Sequence, residues 1–233
     1  MRWVFAAVAG IDLAAFALTQ SRGGIVGLAV ALLVAVVVAG RARPRIVALV
    51  LVLVAGGLGY YFGYKPAHVF QGGSRAGLAG TTSGRLDEWH VALHIFSGHP
   101  VGGVGLGNYQ VVEPSYATQN LNLSVVRQIV TDRLVVHNTY LQMAAELGLV
   151  GLCLLLAMLV LPLRLAGRAL ARLDRPFGEF EFAARGLLAG TVGLLVAYFF
   201  LSAEFEKPLW LALALLAGIP AVIRDDNPTE IPS

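Results

Sequence analysis

Six apolar runs, separated by arginine clusters, prolines and one long polar insert, limit what this chain can fold into. They lie at residues 3–19, 25–39, 46–62, 139–163, 186–202 and 209–223. A helix needs about 20 apolar residues to cross roughly 30 Å of hydrocarbon, and a backbone inside lipid must satisfy its own hydrogen bonds. The runs therefore predict membrane helices. Composition agrees, because 57% of the 233 residues are hydrophobic and only 13% are charged, too little polar surface for a water-soluble globule. The expected fold is an all-α polytopic membrane protein of about six transmembrane helices. The first run carries Asp12 in its middle, lacks a small-residue cleavage pattern and feeds straight into the second, so it reads as a retained helix, not a signal peptide.

Arginine sets the expected orientation. "GRARPR" (Arg41, Arg43, Arg45) and "RLAGRALARLDR" (Arg164, Arg168, Arg172, Arg175) both fall on one side of a six-span alternation, with Arg2 and Arg224, and an arginine excess marks the cytoplasmic side. The expected layout is three membrane helices over 1–63, an extracytoplasmic loop over 64–138, three more helices over 139–223 and a cytoplasmic tail over 224–233. The turns "TQSRGG" and "AEFEKP" then also lie outside. A net charge of +3, concentrated beside helix ends, is a topology signal, and no nucleic-acid partner is expected. The single cysteine, Cys153, falls within a span and reads as a packing residue.

The insert is too long and too rich in Trp, His, Asn, Tyr and Gly for a passive connection, so function is expected there. "SGRLDEWHVALHIFSGHP" predicts a short amphipathic helix, with Leu86, Trp89, Leu93 and Phe96 on one face and Asp87, His90 and His94 on another. Ser83 is the expected cap, and the helix is expected at the membrane surface with Trp89 at headgroup level. "GGVGLGNY" has the spacing of neither a dinucleotide fingerprint nor a P-loop, and no strand precedes it. Its glycines are expected to allow tight turns or a close backbone approach. The polar stretch "VVEPSYATQNLNLSVVRQIVTDR" is left unassigned. Asp87, His90, His94 and His99 have a spacing that a metal could use, but Val91 stands where a zinc-protease helix needs its glutamate. No metal site is assigned.

Four residues carry the expected chemistry. Arg22 sits in an outer turn among Ser21, Gly23 and Gly24, small neighbours that let an anion approach its guanidinium; the plain alternative is an interfacial arginine reaching the headgroups. Arg85 opens the amphipathic helix, with an ion pair to Asp87 or Glu88 as its alternative. His137 and Asn138 stand at the outer N-terminus of the fourth span, where unpaired N–H groups and the helix dipole favour phosphate oxygens. That field disfavours an imidazolium and leaves His137 neutral, able to accept a proton. The alternative makes Asn138 a helix cap and His137 a bystander. Glu146 and Asp12, inside apolar runs, are paired or functional carboxylates.

Taken in order, "TQSRGGIVGL", "SGRLDEWHVALHIFSGHPVGGVGLGNY" and "HNTYLQMAAELGLVGL" resemble the successive signatures of the O-antigen ligase and O-antigen polymerase superfamily, over roughly residues 16 to 165. The resemblance implies an integral glycosyltransferase of the bacterial cytoplasmic (inner) membrane, active on the extracytoplasmic side. It moves a glycan from undecaprenyl diphosphate to an acceptor glycan or lipid A core, with inversion and without metal, nucleotide sugar or other cofactor. By the same resemblance Arg22 and Arg85, with Asn138, bind the diphosphate and substrate, and His137 activates the acceptor hydroxyl. Membrane lipids are partners. Family members usually carry ten or more spans, so an N-terminal half on another chain is a further expected partner. The alternatives are a transporter or transporter-like subunit for inorganic carbon or another solute, using Asp12 and Glu146, and a non-catalytic remnant.

Overall fold

The computed structural model describes residues 2–19, 21–64, 82–119, 129, 134–173, 178–202 and 206–225. All regular structure among them is helical: α1 (Arg2–Thr19), α2 (Arg22–Val38), α3 (Arg43–Tyr64), α4 (Thr82–Gly98), α5 (Tyr109–Ala117), α6 (Thr139–Ala171), α7 (Gly178–Ala197) and α8 (Lys207–Asp225). A 3₁₀ turn precedes α3 at Gly40–Ala42, and another extends α7 at Tyr198–Phe200. Residues 65–81, most of 120–133, the 203–205 turn and the 226–233 tail of the expected layout lie outside the described residues.

Among the described residues three helices are long and apolar enough to cross a membrane: Thr139–Ala171, Gly178–Phe200 and Lys207–Arg224. Ala7–Phe16 and Arg22–Val38 are shorter apolar helices. Ile11, Val52, Leu154 and Leu211 are exposed on α1, α3, α6 and α8, side chains that suit contact with lipid tails rather than water. Cys153, expected to pack, is exposed. It lies two residues before Leu155, which faces the core, and two residues on a helix turn about 200°.

Helices α2 and α7 approach until their backbones touch. Gly23, Gly27 and Ala31 recur every fourth residue of α2, the spacing of one helix face. A methyl group on Gly27 would stand 2.6 Å from the Gly193 carbonyl oxygen, and one on Gly23 would stand 2.6 Å from the Phe200 Cβ. Small residues at this spacing are the usual means of helix association in lipid, where dispersion rather than hydrophobic exclusion holds helices together. Arg22 is thereby fixed beside the end of α7.

At the far end of α7, Arg185 ties three helices. Its Nη1 donates to the Val38 carbonyl at 2.6 Å, its Nη2 to Leu170 at 3.0 Å, and its Nε to Glu181 at 2.9 Å. A cation among the last carbonyls of α2 and α6 satisfies groups that a helix leaves unpaired and complements the dipole. The segments carrying the two arginine clusters therefore leave from one end of the bundle.

Three further expectations change. The run expected as one span over 139–163 is broken at Gly148, whose φ of 64° and ψ of −164° are not helical. Glycine alone adopts that conformation cheaply, and hydropathy cannot register it. Glu146 therefore lies at a break between a short helical segment over 139–147 and the long membrane helix that follows. The α4 helix is present, but the face that packs is Glu88, Val91, Ala92 and Ile95, while Leu86 and Leu93 are about half exposed. It begins at Thr82, ahead of the expected Ser83 cap. Apolar residues occupy both sides of α4, so periodicity did not single out the side that meets α5 and α6.

Candidate functional site

The start of α6 is held from three directions. Asn138 Oδ1 accepts the N–H groups of Tyr140 and Leu141 at 3.0 and 3.1 Å, a side-chain cap on two otherwise unpaired donors. Thr139 donates through its N–H and its hydroxyl to the Leu201 carbonyl, at 2.8 and 2.7 Å. Trp89, on α4, donates its indole N–H to the Val136 carbonyl at 3.1 Å. Its ring meets Phe199 edge-on at 5.9 Å, and Phe199 also packs against Tyr140.

His137 sits between these anchors with φ at 51°, the one non-glycine residue in the left-handed region among the described residues. That conformation is costly for a side chain with a Cβ, and such residues gather where the surroundings fix them for a purpose. The imidazole is half-buried. Desolvation first, and the positive field of Arg85 second, lower its pKa from 6.5. It is neutral near pH 7 and able to accept a proton.

The structure thus brings Arg85, His137 and Asn138 together. Arg85 lies one turn before Trp89 on α4, at the i, i+4 spacing that shares a face, and its Nε is buried without a hydrogen-bond partner among the described residues. Asn138 is fully buried, with its oxygen engaged as a cap and its Nδ2 unpartnered among the described residues. Arg22 stands exposed as the first residue of α2. Ser21 caps that helix through Gly24 N–H at 3.1 Å, and Gly23 packs on Phe200, next to the Phe199–Leu201 segment that braces Thr139. Arg22 therefore opens on the same end of the bundle as His137.

The glycine stretch is not a nucleotide loop but a backbone dock. Gly103, Gly105 and Gly107 all have positive φ. Val104 and Gly105 donate to the Ala145 and Glu146 carbonyls at 3.1 and 2.7 Å, and Leu149 N–H donates back to Pro100 at 2.8 Å. A methyl group on Gly103 would collide with the Glu146 backbone, and one on Gly148 with that of Val101. The loop enters the break in α6, and both glycines are needed for it to fit.

Sequence reasoning missed a buried acidic pair. Glu88 and Glu113 are fully buried beside the core of Val91, Ala92, Ile95, Tyr109 and Val136. Burial raises both pKa values to about 8, so both are neutral acids at pH 7. Tyr109 Oη lies 3.5 Å from a Glu113 oxygen, and both Glu88 oxygens lack a hydrogen-bond partner among the described residues. Nothing in their spacing signals the pair, since a glutamate on α4 reads as a solvated position. His94 and His99 instead bracket Tyr116, the latter 2.9 Å from its hydroxyl. No group of three metal-ligating side chains converges among the described residues.

The family model described as O-antigen ligase matches residues 5–156, which is more than half the chain and includes all four candidate residues. The chain belongs to the O-antigen ligase family. No curated protein matches it. Membership makes this O-antigen ligase family protein a membrane glycosyltransferase of the ligase and polymerase kind, acting on lipid-linked glycan and an acceptor. The dock of 99–108 on the α6 break and the His137–Asn138 turn both fall inside the matched segment.

Proposed function

We propose that the chain transfers a glycan from undecaprenyl diphosphate to an acceptor sugar, on the outer face of the bacterial cytoplasmic membrane. The observation that carries this is the His137 turn: a neutral, half-buried imidazole held at positive φ beside Arg85. The acceptor hydroxyl loses its proton to the imidazole as its oxygen attacks the anomeric carbon. The bond from that carbon to the diphosphate oxygen breaks on the opposite side, so the configuration inverts. Arg85 and Arg22 take up the charge of the departing diphosphate, a role that two cations can fill without a metal ion. Asn138 caps α6 and holds the turn through its Oδ1, and its Nδ2, buried without a partner among the described residues, is the donor offered to the substrate. The acceptor is a lipid A core or a growing glycan.

Glu146 supports this reading over transport. Its carboxylate is committed to backbone N–H groups of the glycine dock, whereas a transport carboxylate must exchange its partners. The test is transfer of a lipid-linked oligosaccharide by the reconstituted protein, with native mass spectrometry of donor binding beside it. His137→Ala is expected to bind donor and fail to transfer; Arg85→Ala combined with Arg22→Ala is expected to lose binding. Wild-type transfer by His137→Ala would refute the mechanism. Solute flux that survives His137→Ala and vanishes in Glu146→Gln would establish the transporter alternative.

A further inference from the structure

Glu146 takes no part in that chemistry, yet its side chain is 1% exposed and both oxygens are engaged. Oε2 accepts the Gly107 N–H at 2.7 Å; Oε1 accepts the Tyr109 N–H and the Gln142 amide, each at 3.4 Å. Gly107 belongs to the stretch that joins α4, which carries Arg85, to α5, and Tyr109 is the first residue of α5. Glu146 closes the 139–147 segment, which His137 and Asn138 open. That segment is fastened to the α4 unit at both ends, by Trp89 on Val136 at its start and by the glycine dock at its finish.

We infer that Glu146 is a positioning residue, which sets the separation of His137 from Arg85 by clamping the 99–108 loop into the break of α6. The physical reason is specific to a carboxylate. Both its oxygens accept, so it can satisfy two loop donors at once, whereas a glutamine amide would set an N–H donor against one of them. With one clamp point lost, the loop lifts, α4 shifts relative to the 139–147 segment, and the field of Arg85 at the imidazole weakens. Among the described residues, the charge that acts on His137 is that of Arg85 on α4; Glu88 follows three residues later on the same helix, and Arg22 heads α2 next to Gly23, which packs on Phe200. The relevance to transfer rests on the roles proposed above for His137 and Arg85; the clamp itself does not.

The test reads the His137 imidazole directly. The full chain, labelled at histidine nitrogen and held in lipid nanodiscs, is titrated by NMR as wild type, Glu146→Gln, Arg85→Ala and the double variant, with His137→Ala to assign the signal. The wild-type midpoint is expected below 6.5. Arg85→Ala should raise it, Glu146→Gln should raise it by at least half as much, and the double variant should match Arg85→Ala alone. A folded Glu146→Gln protein with the wild-type midpoint would overturn the inference, as would a shift that adds in full to that of Arg85→Ala. If Glu146→Gln does not fold, hydrogen exchange of the wild type decides: protection of the Gly107 and Tyr109 amides comparable with helix amides supports the clamp, and exchange at open-loop rates refutes it. Unimpaired transfer by His137→Ala would defeat the proposed mechanism and leave these midpoints unaffected, so the two failures are separable.

Discussion

Arg85 and Arg185 mark two ends of one molecule and show how differently a guanidinium can be used. Around Arg185 the donors meet Glu181 and the closing carbonyls of α2 and α6, so its charge is committed to holding helices together. Around Arg85 the Nε has no partner among the described residues, and the field reaches His137. The neighbouring carboxyl of Glu88 does not cancel it, because burial keeps that acid protonated to about pH 8. An arginine with its donors taken up locally is a fastening. One whose charge is left uncompensated in a partly buried corner is prepared for an anion.

The sharpest way to break the comparison is to disable the His137 end chemically while leaving it folded. His137→Ala should lower transfer by about 10²–10⁴-fold, the usual loss when a proton acceptor is removed, with an unchanged melting temperature. Next comes the dock that carries the same end: Gly148→Ala, forced to positive φ and into the Val101 backbone, should cost about 3 kcal/mol of stability by thermal or denaturant unfolding. The two arginines then offer a crossed test. Arg185→Ala should destabilise by about 2 kcal/mol, from lost charge-assisted hydrogen bonds, and leave transfer per folded molecule intact. Arg85→Ala should weaken donor binding by tens of fold at little cost in melting temperature. Equal behaviour of the two variants would end the distinction.

The smallest effect concerns the acids beneath the site. The folded pKa of Glu113 is about 8, above its ordinary 4.5. Between those values the folded chain keeps a proton that the unfolded chain has released, so this contribution is complete below 4.5 and is lost as pH rises through 8. The melting temperature should therefore fall as pH rises from about 5 to 8 and level off above that, and Glu113→Gln should flatten that fall.

What could be read in advance follows from the kind of signal each residue leaves. The membrane helices are written in long apolar runs, and the motif order groups Arg22, Arg85, His137 and Asn138 as one expected site. The glycines of 102–107 could be read as a close backbone approach, though not as one aimed at α6. The break at Gly148 was invisible, since an isolated glycine in an apolar run looks like tolerated helix. With it went the meaning of Glu146, which a continuous span would carry into lipid. Arg185 lies one residue before an apolar run and says nothing of the carbonyls it will meet. The buried face of α4 depended on α5 and α6, and only the assembled structure selects Glu88, Val91 and Ile95 over Leu86 and Leu93.

The contact of Gly27 with Gly193 also has a consequence in time. When α2 leaves the ribosome its glycine groove has no partner, and α7 is complete only after about 160 further residues. At roughly 5–20 residues per second that is an interval of about 10–30 s. During it the groove faces whatever the bilayer or the insertion machinery presents. A chain stopped before residue 193 would keep that groove open, with the head of α2 still waiting for the helix that fixes Arg22 in place.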